Sequence, residues 1–187
     1  MKMRVRREDS IRVLIDVQER IIDTIAEHES IIQNIKALIK TAQTLQMPIV
    51  LTEQLKLGET IPELKTFLAE PSIQKLTFSC CESAEFMTKL NATGRKTAII
   101  CGIETHICVQ QTVLDLLLGH HRILVVKDAT SSHAPIDRET ALRRMEAAGA
   151  EITTTEAIIY ELTEKAGTEE FKQILDIVKA RRTSTAT

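Results

Sequence analysis

Two rhythms of hydrophobic residues alternate along this chain. Short, nearly unbroken apolar runs are followed by stretches in which apolar residues recur every three or four positions. "IRVLID" (11–16) is of the first kind, and its length predicts a buried strand. Ile31, Ile32, Ile35, Leu38, Ile39, Ala42 and Leu45 then recur at helical spacing, and "MPIVLT" (47–52) reads as strand again, completing a β-α-β unit. "KTAIICG" (96–102), "HRILVVKD" (121–128) and "AEITTT" (150–155) are further strand segments, alternating with helices near 82–91, 105–118 and 137–148. "SIQKLTF" (72–78) is a weaker sixth strand and "EEFKQILDIVK" (169–179) a closing helix. Gly119 and Gly149 stand where helix C-termini are expected, and Pro135 or Asp137 marks a helix start.

Six strands apolar on both faces and separated by helices imply a parallel sheet covered on both sides, a three-layer α/β fold. The chain has 187 residues, 43% of them hydrophobic, and no Pro/Gly/Ser-rich linker divides it, so residues 1–187 are expected to form one domain. Ligands of such sheets bind beyond the carboxyl ends of the strands, where strand order reverses. The informative residues are therefore those that end strands: Asp16, Thr52 to Gln54, Lys75, Gly102 to Cys108, and Asp128.

Composition narrows the partners. Lys plus Arg is 24 and Asp plus Glu is 26, so the net charge of −2 supplies no general attraction to phosphate backbones or anionic membranes. Aromatic residues make up 3%, too few rings for bases to stack on. No nucleic-acid partner is expected, and Arg4, Arg6, Arg7, Arg181 and Arg182 read as solvated ends. No apolar run approaches the roughly 20 residues that span a bilayer, and "MKMRVRREDS" lacks the apolar core of a signal peptide. No membrane association is expected; a cytoplasmic location is, with a mitochondrial one left open. Cys80, Cys81, Cys101 and Cys108 are then thiols, and none sits in a C-x-x-C pair.

Taken singly, the candidates are weak. Asp16 closes an apolar strand, as either a loop cap or a functional carboxylate. Lys75 alone is an ordinary lysine. Cys108 lies about one turn into a helix with Thr105 as its expected N-cap; a small buried hydrophobe is the common reading. Yet a helix N-terminus and a nearby lysine would both favour thiolate, lowering the thiol pKa and making a nucleophile. Cys101 reads as core, His120 and His121 as charges suited to a helix end, and His28 and His133 as surface. His106 is two residues from Cys108, so on a helix the two side chains diverge. The lone glycine of "CGIETH" is no dinucleotide fingerprint, and there is no G-x-S-x-G elbow.

In combination, "VLIDVQE", "LTEQ", "KLTFSC", "CGIETHICVQQTVLDLL", "VVKDATSS" and "TTTEAIIYELTEKAGTEEFK" resemble the isochorismatase-like cysteine hydrolases over about residues 10 to 180. That superfamily also contains nicotinamidases and N-carbamoylsarcosine amidohydrolases. The pattern is most similar to the isochorismatase domain-containing protein subgroup. The resemblance implies a Rossmann-like strand order 3-2-1-4-5-6 and a catalytic triad of Asp16, Lys75 and Cys108. It also implies a cis Ile103–Glu104 peptide and an oxyanion hole built from the backbone N–H groups of Glu104 and Cys108. Gln18, Gln54 and Phe78, near the same strand ends, are candidates for substrate binding.

Two departures from family patterns shape the expected chemistry. Nicotinamidases hold a metal with an Asp-x-His cluster after the second strand, whereas "LTEQLKLGE" contains no histidine, so no metal or other cofactor is expected. Isochorismate hydrolases can lack the cysteine, which this chain keeps. The expected activity is thiolate attack on an amide-like C–N carbonyl of a small molecule through a thioester. The alternatives are a binding or assembly protein of low turnover and an isochorismate-type vinyl ether hydrolase. Family habit and the apolar helix "TVLDLLL" imply a homo-oligomer.

Overall fold

The first apolar run forms β1 (Ser10–Ile15), whose residues are all buried. Only a central strand with helices on both sides can bury both faces. The computed structural model describes residues 4–184, leaving the first and last three residues of the expected domain outside it. It sets β1 amid β2 (Ile49–Gln54), β3 (Ile73–Lys75), β4 (Thr97–Ile103), β5 (Arg122–Ser131) and β6 (Glu151–Thr153), in the order β3-β2-β1-β4-β5-β6. Every pairing is parallel, as the sequence pattern and the family resemblance led one to expect. The order reverses between β1 and β4, which opens a crevice at their carboxyl ends.

Alternation along the strands separates two cores. Leu14, Leu51, Ile99 and Leu124 pack against α1 (His28–Thr44), α6 (Thr155–Thr163) and α7 (Glu169–Ser184). Val13, Val50, Ile100 and Val125 face α3 (Ala84–Ala92), α4 (Gln110–Leu118) and α5 (Pro135–Ala147). A single turn, α2 (Pro62–Lys65), lies between β2 and β3. Among the described residues no helix is long and apolar enough to cross a membrane.

Several sequence expectations need correction. The helix expected over 105–118 begins as a π-helical turn, Thr105–Val109, in which the Val109 N–H reaches the Glu104 carbonyl at 3.2 Å. Glu104, and not Thr105, is the N-cap. β5 runs on to Ser131, so Asp128 sits inside it and away from the crevice; its Oδ1 accepts the Thr155 N–H at 2.7 Å and anchors α6. Helix α6 itself departs from expectation: the strand expected over 150–155 stops at Thr153, and the Thr154 hydroxyl caps the helix in its place. The arginine-rich ends are not simply solvated. Arg181 donates to Asn34 Oδ1 at 2.6 Å and contacts Asp128 and Glu156, tying α7 to α1, β5 and α6. Arg6 and Arg7 pair with Glu164 and Glu170. His121 is buried, and burial with Lys96 nearby lowers its pKa, so it does not act as a charged helix terminus.

Arg12 is the fold's discordant residue. It lies in mid-β1 with no exposed surface, and none of its side-chain nitrogens has a protein hydrogen-bond partner among the described residues. Burial pushes its guanidinium pKa down to about 10.

Candidate active site

β1 ends by turning Asp16 into the left-handed region, φ 53°, where its N–H is held by the Thr52 carbonyl at 3.2 Å. Across the ladder Ile15 pairs with Gly102. A Cβ on Gly102, φ 127°, would lie 2.1 Å from the Ile15 carbonyl oxygen, so only glycine lets β4 approach β1 this closely. Strand β4 then leads through the Ile103–Glu104 peptide, which is cis, into the π-helical turn that bears Cys108.

Lys75, the last residue of β3, reaches across the end of β2 to meet them. Its Nζ donates to Asp16 Oδ2 at 2.6 Å, to Gln54 Oε1 at 2.8 Å and to the carbonyls of Thr77 and Phe78 at 3.2 and 3.3 Å. Cys108 Sγ is 3.6 Å from the same nitrogen. The Thr52 hydroxyl donates to Asp16 Oδ1 at 2.8 Å, a contact that sequence reasoning misses although Thr52 stands among the strand-end residues. Asp16, Lys75 and Cys108 retain 2%, 3% and 7% of their accessible surface, so their charges act with little screening.

Burial is the largest single influence and opposes the Lys75 charge, but Asp16, Cys80 and Cys108 together offset it and the ammonium pKa is raised. Burial also pushes the Cys108 thiol up; Asp16 adds to this by charge and by hydrogen bonding, while Lys75 pulls the other way. The net direction is upward, the reverse of the activated thiolate expected from sequence. Lys75 is already matched by Asp16, and Asp16 is itself a negative neighbour of the sulfur. The Lys75 ammonium is thus held in its pair with Asp16, while its surroundings favour the neutral form of the Cys108 thiol.

These groups meet at a cavity of about 120 Å³. Asp16, Gln54, Glu104 and Cys108 form its polar side, and Ile21, Leu57, Phe78, Ile103 and Ile107 its apolar wall. Gln54 and Phe78, candidates for substrate binding, both line this cavity. Gln18 does not: its amide donates to the carbonyls of Gln54 and Gly58 at 2.9 and 2.7 Å and its oxygen accepts the Gln54 N–H at 2.8 Å, so it holds the loop that positions Gln54. The Glu104 carboxylate accepts the His133 N–H at 3.0 Å. His106 bonds Ser132 Oγ at 3.0 Å and faces Asp137. The wall residues Ile21, Leu57 and Ile107 carry no sequence signal beyond being apolar.

A wider depression, about 720 Å³, lies at the outer edge of β2 and β3 and does not include the triad. Glu53 lines it, with its carboxylate held by the N–H and hydroxyl of Thr60, both at 2.7 Å. Among the described residues no three His, Cys, Asp or Glu side chains are arranged to hold a metal.

This fold has counterparts among known proteins. Isochorismatase domain-containing protein 2A of Mus musculus is 37% identical over 179 residues, covering 94% of this chain and 85% of that protein. The structure of the MAR1 ribonuclease from Caenorhabditis elegans superposes with a TM-score of 0.89 at 36% identity, over 94% of this chain and 92% of that one. YcaC from Pseudomonas aeruginosa, solved with hexane-2,5-diol and covalent acrylamide, gives a TM-score of 0.89 at 26% identity, over 100% and 99% of the two chains. Residues 10–157, from the start of β1 to the start of α6, match the family model of the isochorismatase domain, and the chain belongs to the isochorismatase family of hydrolases.

Proposed function

We propose that this chain hydrolyses an amide-like C–N bond of a small molecule, with Cys108 as nucleophile and a thioester as intermediate. The observation that carries the reading is the single ammonium of Lys75 set between the Asp16 carboxylate, at 2.6 Å, and the Cys108 sulfur, at 3.6 Å, both of which residues line one cavity. Asp16 takes the thiol proton as sulfur bonds to the carbonyl carbon, and the backbone N–H groups of Glu104 and Cys108 receive the oxyanion. The C–N bond breaks as Asp16 returns that proton to the departing nitrogen. Water then attacks the thioester, Asp16 accepts its proton, the C–S bond breaks, and the proton goes back to sulfur. Lys75 keeps Asp16 aligned and balances negative charge on either partner. No step calls for a metal.

The name of the nematode relative raises RNA as a substrate. A cavity of about 120 Å³ with no Lys or Arg among its lining residues is too small for a nucleotide and offers its phosphate no cation. We also propose self-association. Leu118, at the end of the apolar α4, is 80% exposed, and scattering that gives a mass well above 21.0 kDa would support it.

The test is turnover of a panel of small amides with trapping of the acyl-enzyme by mass spectrometry. An acyl adduct is expected on Cys108. Cys108→Ala should abolish turnover with the fold intact, and Asp16→Asn should lower it by about 10²–10⁴, the usual contribution of a general base. Hydrolysis retained by Cys108→Ala would refute the nucleophile and favour an acid mechanism through Asp16, as for a vinyl ether.

A further inference from the structure

The amidase reading leaves the acyl group of the substrate open, and the cavity constrains it in charge and in size. We infer that the site takes neutral amides with a short apolar acyl group and rejects those whose acyl group carries a carboxylate. The inference rests on the proposed function for its turnover and on the cavity wall for its selectivity.

Charge comes first. Beyond the reacting groups the cavity is walled by Ile21, Leu57, Phe78, Ile103 and Ile107, and no Lys or Arg is among its lining residues. The nearest ammonium, Lys75, already serves Asp16, Gln54 and two backbone carbonyls. The two charged groups that do line the cavity, Asp16 and Glu104, are both acidic. A carboxylate on the acyl chain would lose its water against an apolar wall, gain no cation not already paired, and approach the Asp16 carboxylate, which is the costly way to bury an ion. A methyl-bearing chain of the same shape meets only favourable contact.

Size comes second. An apolar cavity of about 150 Å³ accepts benzene, so one of about 120 Å³ holds an acyl group of about four to six carbons. Phe78, 54% exposed, stands at the mouth.

Isocaproamide and succinamate make a matched pair, because a carboxylate replaces an isopropyl group with the number of non-hydrogen atoms unchanged. Each is assayed for ammonia release and for protection of Cys108 from iodoacetamide, read by peptide mapping. The expected result is a kcat/KM for isocaproamide higher by about 100-fold or more, with protection by isocaproamide alone. Leu57→Lys, which adds a cation to the wall, should narrow that ratio by about tenfold or more. Hydrolysis or protection by succinamate to a similar extent overturns the selectivity while leaving the amidase reading intact. Selective protection by isocaproamide with no ammonia from either compound supports the selectivity and overturns the amidase reading. Neither protection nor hydrolysis by either compound overturns the inference.

Discussion

Separating the buried ion pair at the base of the cavity should cost far more than deleting it. Lys75 Nζ and Asp16 Oδ2 lie 2.6 Å apart, with side chains 0% and 3% exposed. At an effective dielectric constant of about 20 their gross attraction is about 6 kcal/mol, and desolvating two ions costs several kcal/mol each, so the pair as a whole is near balance. Lys75→Met leaves Asp16 buried with no cation and only neutral donors such as the Thr52 hydroxyl, and the expected loss is about 3–5 kcal/mol. Asp16→Asn is milder, about 1–3 kcal/mol, because Lys75 keeps the Gln54 side chain and two carbonyls as acceptors. The double variant should unfold within about 1 kcal/mol of the parent while remaining inactive. Urea denaturation followed by circular dichroism measures all four proteins. If the two single losses simply add in the double variant, the residues are not coupled and the electrostatic account of the site is wrong.

The same geometry makes three further outcomes testable. Because Asp16 raises the Cys108 thiol pKa and Lys75 lowers it, ultraviolet titration of the thiolate, with Cys108→Ala as reference, should place the midpoint above the ordinary thiol value in the parent. It should fall in Asp16→Asn although turnover is lost, and rise in Lys75→Met; a midpoint unchanged by Asp16→Asn would contradict this. Arg12 is fully buried and its pKa drops from the ordinary guanidinium value to about 10, which at about 1.4 kcal/mol per unit is a penalty of about 3–4 kcal/mol. The folded state sheds this proton first, so the penalty is complete below pH 10 and fades as pH rises toward the ordinary guanidinium pKa. Arg12→Met should therefore raise stability at neutral pH by about 2–3 kcal/mol in urea unfolding, and an unchanged or lower midpoint would count against an unpaired guanidinium. Gly102→Ala should cost about 3 kcal/mol or more and impair activity, since the new Cβ meets the Ile15 carbonyl next to Asp16; a stable, active variant would refute the close approach of β4 to β1.

The sequence is most legible where one physical rule acts alone. Burial on both faces makes a strand such as "IRVLID" apolar throughout, and a helix such as α1 must repeat its apolar residues every three to four positions, so the alternation of elements can be read directly. Where two rules compete, the reading fails locally. "TEAIIYELT" is apolar enough to continue the preceding strand, and only the Thr154 cap and the Asp128 contact from β5 turn it into α6. The π-helical turn at Thr105–Val109 differs from an α-helix in hydrogen-bond register alone, which leaves no mark on residue spacing.

The same limit explains the thiol. Sequence gives Cys108 a helix start and, from the strand ends, a nearby lysine, and both favour thiolate. Its actual state depends on how many charges of each sign gather at the strand ends, because a buried site responds to their sum. Asp16 neutralises Lys75 at 2.6 Å and also acts on the sulfur, so the balance tips to a neutral thiol. That changes what the site needs in order to work. In the proposed mechanism a preformed thiolate would need no base at the moment of attack, whereas a neutral thiol needs Asp16 to take its proton then, and that proton would afterwards be at hand for the departing nitrogen. Under that proposal one carboxylate serves as base and then as acid without drawing a proton from solvent.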